Sequence, residues 1–320
     1  MDFKSIVAVV AEDFAAVDTF IADSLRSRVP LVSEVGRYIV LGGGKRLRPL
    51  VCLLAARACG YQGRQHIEVA AIVELLHTAT LLHDDVVDDS GLRRGRATAN
   101  ARWDNPTAVL VGDYLISRAF QLVVALRNTT VMDIMAQGTC VIAEGEVLQL
   151  INQRDPDTTE ARYMEVIHGK TAKLFEAAAE CGASLGNPAL QPALAAYARH
   201  LGAAFQIIDD VLDYTSSAEI MGKNVGDDLA EGKPTLPLIQ AIKLAPAADA
   251  ALIRDAIRTG GLDHLEEIMA IVQRCGALDY TMARAEAESA AALAALAPLP
   301  ASPARDALEH LTRLALARNS

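Results

Sequence analysis

Apolar and polar residues follow one another along this chain with the period of an α-helix. Over most of its length apolar positions recur at spacings of three and four, and no run keeps the alternation of a strand for long. Proline and glycine mark the breaks, as at Pro30, which should end the first helix, and at residues 42–44. The pattern predicts helices over approximately 5–25, 49–59, 65–88, 105–126, 131–151, 159–167, 171–185 and 188–214, with more after 235.

Composition agrees with a helical fold. The chain has 320 residues, of which 52% are hydrophobic, so it can bury a large core. Only 4% of the residues are aromatic, whereas alanine and leucine, which favour helices, dominate. No low-complexity linker divides the sequence. We therefore expect one all-α domain over residues 1–320, folded as a single large helical bundle.

Charge and cysteine content narrow the class of protein. The formal net charge of −10 argues against nucleic-acid binding. The five cysteines form no CxxC pair, as expected for a reduced, cytoplasmic protein. The N-terminus carries Asp2, Lys4 and Glu12 without an apolar core, so we expect no signal peptide. No uninterrupted apolar stretch reaches the roughly 18 residues of a membrane-spanning helix, which indicates a soluble protein.

Two acidic clusters share the form DDxxD, at residues 84–88 and 209–213. On a helix, Asp84 and Asp88 project from nearly the same face one turn apart, as do Asp209 and Asp213. Carboxylates this close repel each other unless a cation lies between them, and Mg²⁺ prefers oxygen ligands that leave room for substrate phosphates. A single cluster of this kind is more often a solvated helix face. Two of them, each preceded by apolar residues, favour metal binding.

Basic residues lie in loops near both clusters. Lys45 and Arg48 follow a glycine-rich turn, and Arg93 and Arg94 come shortly after Asp88. Glycine lets backbone amides approach a phosphate, and arginine binds phosphate oxygens with paired hydrogen bonds. Further candidates near the second cluster are Lys170, Thr171, Gln206, Lys223 and Lys233. Each cation alone is more often a solvated surface charge, and Arg93 with Arg94 could simply compensate the carboxylates. Their joint placement favours a diphosphate site.

His77 lies two helical turns before Asp84 on the same apolar segment. It is either a hydrogen-bonded core histidine or a donor to a phosphate, and the sequence leaves both open. His83 is rotated by 100° from Asp84, and we interpret it as structural.

Together these motifs resemble the trans-type polyprenyl diphosphate synthases, most nearly the bacterial enzymes that make octaprenyl chains for quinones. The resemblance runs from about Gly42 to the C-terminus. It rests on GGGKRLRP (42–49), HTATLLHDDVVDDSGLRRGRATAN (77–100), VLVGDYL (109–115), VIAEGEVLQL (141–150), KTAKLFEAA (170–178), FQIIDDVLDY (205–214) and GKNVGDDLAEGKPTLPL (222–238). It implies the isoprenoid synthase fold, a helical bundle around a central cavity, in a homodimer. Because a polyprenyl product is insoluble in water, we expect at most transient contact with membranes.

The resemblance also implies residue roles. Asp84 and Asp88 would bind two Mg²⁺ ions, Asp209 would hold a third, and Asp85, Asp210 and Asp213 would support them, Asp213 being grouped with the metal-binding residues. The residues implied to contact an allylic diphosphate are Arg93, Lys170, Thr171, Gln206 and Lys233. Those implied to bind isopentenyl diphosphate are Lys45, Arg48, His77 and Arg94, with Lys223 as a weaker candidate. The catalytic group would comprise Asp84, Asp85, Asp88, Arg93, Lys170, Asp209 and Asp210.

The implied reaction is ionisation of the allylic diphosphate, condensation with isopentenyl diphosphate and loss of a proton. Metal ions and cationic side chains would stabilise the departing pyrophosphate, and an apolar cavity would exclude water. No side chain is an obvious general base, so the released pyrophosphate is the natural proton acceptor.

Product length should follow from cavity depth. Ala79 and Thr80 lie five and four residues before Asp84, where the family resemblance implies that a bulky side chain would stop growth early. Taken alone, Ala79 is more often a helix-packing alanine, but given the family resemblance its small side chain favours a long product. Val123 and Met135 are candidates for the cavity floor. An eight-unit product is expected, but Val123 is smaller than the residue usual in eight-unit relatives, so nine or ten units stay open.

Three rival functions also fit parts of the sequence. A terpene cyclase carries an aspartate-rich helix, but its second motif normally mixes Asn, Ser or Thr with Glu. Head-to-head synthases space their aspartates differently. A non-catalytic partner subunit typically lacks one acidic motif, whereas all six motif aspartates are present here.

Overall fold

The computed structural model describes residues 1–215 and 226–317. Helix accounts for 78% of the structure, and this confirms the all-α class. The first helices are α1 (Phe3–Ala8), α2 (Ala11–Ser24), α3 (Pro30–Val40), α4 (Leu47–Ala58), α5 (Gln65–Val87), α6 (Ala99–Arg102), α7 (Asn105–Ala125) and α8 (Thr129–Asn152). Those that follow are α9 (Glu160–Ile167), α10 (Lys173–Gly186), α11 (Gln191–Thr215), α12 (Asp227–Ala230), α13 (Leu236–Leu244), α14 (Ala247–Thr259), α15 (Leu265–Arg274), α16 (Ala277–Ala295) and α17 (Pro303–Leu316).

The N-terminal helix prediction is wrong in two details. The stretch predicted as one helix over 5–25 forms α1 and α2, because the backbone of Val10 leaves helical geometry with φ of −131°. Pro30 begins α3 instead of only ending the first element. The fixed φ and missing N–H of proline suit the first turn of a helix, where no intrahelical partner exists for that N–H.

Residue contacts group the chain into two compact units. Unit 1 comprises Met1–Gly138, Leu174–Ala198 and Ala295–Leu311, and unit 2 comprises Thr139–Lys173, Arg199–Ala294 and the chain from Thr312 onward. The first acidic cluster belongs to unit 1 and the second to unit 2. The expectation of a single domain over residues 1–320 stays a prediction.

Helix α5 is the centre of unit 1, where α2, α4 and α7 pack against it. Its residues 69–73 are all fully buried, so the helix has neighbours on every side at this level. Its aspartates all lie at its C-terminal end, where Asp88 is the C-cap. The surrounding helices therefore fix the direction in which the first acidic cluster projects.

A small hairpin follows α5 within the region expected to be a loop. Its strands are β1 (Leu92–Arg93) and β2 (Arg96–Ala97), which pair Arg93 with Arg96. Arg94 and Gly95 form the turn with φ values of 53° and 72°, as the tightest β-hairpins require. Because directly paired residues share a face of the ladder, Arg93 and Arg96 project from the same side.

In unit 2, a buried cluster joins the elements that carry the second acidic motif. It includes Tyr163 of α9, Ile207 and Ile208 of α11, and Ile239 of α13. Between α9 and α10 the backbone forms one turn of π-helix, His168–Ala172. Such turns occur frequently at functional sites, and this one carries Lys170 and Thr171.

Helices α7 and α8 are long and apolar enough to cross a membrane, which the search for an uninterrupted apolar stretch missed. Their most apolar windows are 33% and 28% buried. Both helices carry charged residues, among them Asp113 and Arg118 in α7 and Asp133 and Glu144 in α8. One or two helices of this kind are only a weak indication of a membrane span.

Candidate active site

The last turn of α5 buries one carboxylate and leaves two at the surface. Asp85 is fully buried, whereas Asp84 and Asp88 are partly exposed. Arg93 of the hairpin donates from Nε to Asp85 Oδ1 over 2.8 Å. Burial raises the pKa of Asp85, and the Arg93 guanidinium opposes that rise. Asp85 therefore ties the hairpin to the helix, and Asp84 and Asp88 present carboxylates one turn apart.

Arg48 and His77, expected to bind the same diphosphate, are in direct contact. Arg48 Nη1 and His77 Nε2 are 3.1 Å apart, and the Arg48 guanidinium carbon lies 4.4 Å from the centre of the Phe175 ring. Burial lowers the pKa of Arg48 to about 10. Burial, and then the charge of Arg48, lowers the pKa of His77 well below its usual value.

The tautomer of His77 follows from this contact. Arginine has no acceptor, so the neutral ring accepts at Nε2 and carries its proton on Nδ1. His77 is therefore half-buried and hydrogen-bonded, and its Nδ1–H is the group it can offer to a phosphate oxygen.

The glycine-rich turn lies against Arg94. Arg94 Nη1 donates to the carbonyl oxygen of Gly43. Gly44 has φ of 129°, and a Cβ there would meet the Arg94 guanidinium. Lys45 follows in an exposed position. The turn thus needs glycine at position 44 to bring its backbone next to Arg94.

The second acidic cluster exposes its first carboxylate and buries the others. Asp209 is partly exposed, while Asp210 and Asp213 are buried. The backbone N–H of Asp228 donates to Asp213 Oδ2 over 3.4 Å. Burial raises the pKa of Asp210 well above its usual value, and the Asp228 carboxylate adds to the rise. Asp209 is therefore the carboxylate of this cluster with solvent access.

A chain of hydrogen bonds holds Asp210. Tyr163 Oη donates to Asp210 Oδ2 over 2.6 Å, and Gln206 Nε2 donates to Asp210 Oδ1 over 2.8 Å. Thr171 Oγ1 in turn donates to Gln206 Oε1 over 2.9 Å. Two of the residues expected at the substrate, Thr171 and Gln206, are thus coupled to the second acidic cluster.

Lys170 lies beside a carboxylate that the sequence analysis did not single out. Its Nζ is 2.6 Å from Glu146 Oε2. Gly145 permits this approach, because a Cβ there would lie 2.5 Å from the Lys170 backbone nitrogen. The close contact of α8 with the π-turn therefore positions Lys170.

Two further cations were predicted near the second acidic cluster, and the structure describes only one of them. Lys233 forms an ion pair with Glu231, and its backbone N–H donates to the carbonyl oxygen of Asp228 over 2.8 Å. Lys223 lies outside the described residues. Arg46, between the predicted Lys45 and Arg48, instead pairs with the buried Glu74 at 2.5 Å and is structural.

The residues proposed to set chain length are all buried in unit 1. Ala79 on α5 has no exposed surface, and Val123 on α7 and Met135 on α8 are each 1% exposed. Thr80 is partly exposed, and its hydroxyl donates to the carbonyl oxygen of His77 over 2.9 Å. Their role in product length stays a prediction.

Sequence reasoning missed Tyr163, Glu146 and Glu74. Tyr163 lies 47 positions before Asp210, outside every charged motif, and no local pattern links the two. Glu146 lies within the motif at residues 141–150, so the sequence could have marked it as a candidate. Its pairing with Lys170, however, could not be predicted from the sequence.

We expect Tyr163→Phe to lower the free energy of unfolding by about 1–3 kcal/mol, because it leaves a buried carboxylate oxygen of Asp210 without its donor. Urea denaturation measures the loss. Tyr280→Phe is the matched control, since the Tyr280 hydroxyl donates to Glu160 over 2.8 Å from an exposed ring. That control should lose less than about 0.5 kcal/mol. Equal losses in the two variants would contradict the account.

Comparison with known proteins identifies the family. The sequence matches the family model described as polyprenyl synthetase over residues 29–274. It is 58% identical to an all-trans-nonaprenyl-diphosphate synthase (geranyl-diphosphate specific) of Rhodobacter capsulatus, with 99% of each chain covered. It is 50% identical to octaprenyl diphosphate synthase of Escherichia coli strain K12, with 100% of each chain covered. The chain belongs to the polyprenyl synthetase family.

The fold supports the same assignment. A crystal structure of polyprenyl synthase from Caulobacter crescentus CB15, complexed with calcium and isoprenyl diphosphate, aligns with a TM-score of 0.96 and 42% identity. The alignment covers 100% of this chain and 98% of that one. The chain is therefore a prenyltransferase with the helical isoprenoid synthase fold, as the sequence motifs predict.

Proposed function

We propose that this protein adds isopentenyl diphosphate units successively to an allylic diphosphate, with farnesyl diphosphate as the expected starter, and releases a long all-trans polyprenyl diphosphate. The observation that carries the proposal is the form of the two acidic clusters. Each cluster presents at least one partly exposed carboxylate and buries another that is held by hydrogen bonds. The buried carboxylate of the first cluster is bound by Arg93, and that of the second cluster is bound by Tyr163 and Gln206. The expected product has eight units, with nine or ten as alternatives, and serves as a quinone side chain.

The acidic clusters fit magnesium ions. No group of three His, Cys, Asp or Glu side chains converges on a metal position within residues 1–215 and 226–317. Mg²⁺ suits such a site, because it is usually held by one or two carboxylates together with waters and substrate phosphates. Asp85 Oδ2 is buried and has no hydrogen-bond partner in the described part of the chain, which leaves this oxygen available to support the ions proposed at the neighbouring Asp84 and Asp88. We propose Mg²⁺, in three ions, at Asp84, Asp88, Asp209 and Asp213.

In this proposal the metal ions supply Lewis-acid stabilisation of the leaving pyrophosphate. Arg93 and Lys170 add positive charge at the allylic diphosphate, and Glu146 and Asp85 hold their side chains in place. Thr171, Gln206 and Lys233 contact the same diphosphate. Lys45, Arg48, His77 and Arg94 hold isopentenyl diphosphate, with Lys223 as a weaker candidate. The released pyrophosphate accepts the proton.

Product sizing tests the proposal. The protein is incubated with isopentenyl diphosphate, Mg²⁺ and either geranyl or farnesyl diphosphate, and the products are separated by chromatography. Chains of eight to ten units support a long-chain synthase. A cyclised hydrocarbon would indicate a terpene cyclase, and the absence of any product would indicate a non-catalytic subunit. Either result would reject the proposal.

We expect His77→Phe to raise KM for isopentenyl diphosphate by about 10- to 100-fold, with a smaller effect on kcat. The variant removes the Nδ1–H and the acceptor for Arg48, and hydrogen bonds to charged groups contribute about 1.5–3 kcal/mol. His77→Gln keeps a donor and an acceptor and should stay within about threefold of the original KM. Steady-state kinetics at saturating farnesyl diphosphate measures both variants. A similar KM in the two would contradict the role of His77.

We further propose a cytoplasmic homodimer that makes at most transient membrane contact. Leu110 and Val124 on α7, and Val147, Leu150 and Ile151 on α8, are each more than half exposed. Apolar surface on long helices favours burial by another protein chain. Sedimentation velocity tests the dimer, and a monomer at micromolar concentration would reject it.

A further inference from the structure

Two guanidinium groups lie against the ring of Tyr38 on α3, and the proposed function assigns neither of them a role. The guanidinium carbons of Arg96 and Arg102 lie 4.4 Å and 4.5 Å from the centre of the Tyr38 ring. Arg102 also lies 4.7 Å from the centre of the Trp103 ring, which meets Tyr38 edge-on at 5.2 Å. Together, Tyr38, Arg96, Arg102 and Trp103 form an arginine–aromatic cluster.

The two arginines of this cluster differ from other arginines of the same unit. Neither forms an ion pair with a carboxylate in the part of the chain that the structure describes, whereas Arg46, Arg57 and Arg93 each do. An aromatic face attracts a guanidinium without neutralising it. In a chain with a net charge of −10, two cations held together in this way favour an external anion.

An open, shallow pocket lies beside the cluster. It is lined by Tyr38, Ile39, Gly42, Leu81, Arg93, Arg94, Arg96 and Ala97. The Tyr38 hydroxyl donates to the Ala97 carbonyl oxygen over 2.8 Å, which fixes the ring against the hairpin. Three guanidinium groups, of which Arg93 is also bound to Asp85, lie next to the apolar side chains of Ile39 and Leu81. This lining favours an anion that carries a short hydrocarbon.

We infer that the arginine–aromatic cluster is an outer binding site for the diphosphate group of isopentenyl diphosphate. This inference rests on the proposed function. Arg94 lines the pocket and also contacts the glycine turn that precedes Lys45, so it joins the outer pocket to the inner substrate residues. Each product consumes several isopentenyl units, and a cationic entry raises the rate at which an anionic substrate is captured. Released pyrophosphate shares the diphosphate chemistry, so the experiment separates the two ligands.

Kinetic variants give the first test. Arg96→Ala and Arg102→Ala should each raise KM for isopentenyl diphosphate about 3- to 10-fold and leave kcat within about twofold, and the difference should shrink at high salt. Arg37→Ala is the matched control. Arg37 is the exposed neighbour of Tyr38 on α3 and forms no ion pair or ring contact within the described ranges. The control removes the same charge and should leave KM unchanged. An equal change in Arg37→Ala and Arg96→Ala, or none in either, would overturn the inference.

Fluorescence gives a test that does not depend on turnover. Trp103 is the only tryptophan of the chain, so its emission reports on the cluster directly. Isopentenyl diphosphate, added without allylic substrate, should change this emission saturably in the original protein and in Arg37→Ala. Arg96→Ala should bind about 3- to 10-fold more weakly. Circular dichroism confirms that each variant is folded.

A parallel titration with inorganic pyrophosphate identifies the ligand. An emission change with both ligands, or with isopentenyl diphosphate alone, supports capture of the incoming substrate. A response to pyrophosphate but not to isopentenyl diphosphate, or no response to either, would overturn it. If the original protein elongates normally but the Arg96 and Arg102 variants show no change in KM for isopentenyl diphosphate, only this inference is rejected. A protein that does not elongate at all rejects the proposed function itself.

Discussion

Asp84→Asn is expected to lower kcat for chain elongation by about 10³-fold or more, with little change in stability. Asp84 is partly exposed on the last turn of α5, whereas its neighbour Asp85 is buried and bound to Arg93. The substitution keeps the shape of the side chain but removes the charge that would hold a metal on the leaving pyrophosphate. Because that interaction is strongest in the transition state, kcat should fall much more than KM rises.

Asp89→Asn is the control for this experiment. Asp89 lies five residues along the same chain segment, is exposed and has φ of 51°, a conformation that asparagine tolerates well. It removes an equal charge close to the site and should change kcat by less than about twofold. Asp209→Asn should repeat the loss seen at Asp84. Similar activities in Asp84→Asn and Asp89→Asn would contradict metal binding by the first cluster.

Ala79→Tyr is expected to shorten the product from eight or more isoprene units to about three or four, since a tyrosine ring at this position would fill space that a growing chain needs. Ala79 has no exposed surface and lies five residues before Asp84 on α5. Chromatography of the extracted products measures the change. The rate of the first condensation should be far less affected than the length.

A graded series controls for damage to the core. Enlarging a buried alanine costs about 1–3 kcal/mol, so thermal unfolding is measured for Ala79→Val, Ala79→Leu and Ala79→Tyr. Product length should fall as side-chain volume rises among the variants that fold. Long chains of unchanged length from a folded Ala79→Leu or Ala79→Tyr would reject the placement of the product beside Ala79.

The exposure of the motif carboxylates could be predicted from the sequence for the first cluster but not for the second. The helical period correctly places Asp84 and Asp88 one turn apart, and both are partly exposed. The same period groups Asp209 with Asp213, yet Asp213 is fully buried. Periodicity gives the angle between two side chains on a helix, but the burial of each depends on neighbouring elements, here on the Asp228 backbone that binds Asp213.

The contacts that hold the side chains proposed to act in catalysis and binding could not be predicted from the sequence. Tyr163 and Asp210, Glu146 and Lys170, and Arg48 and Phe175 each meet across long separations in sequence. Only the packed fold brings such residues together. The hairpin at 92–97 was missed because two-residue strands have no periodic pattern, although Gly95 was a usable turn signal.

Chelation of the metal during turnover tests the central claim most directly. The rate of elongation from farnesyl and isopentenyl diphosphates is measured after the protein is treated with EDTA and again as Mg²⁺ is added back. No detectable product is expected in EDTA, with full recovery when Mg²⁺ is restored. Elongation that continues at an undiminished rate in excess EDTA would contradict it.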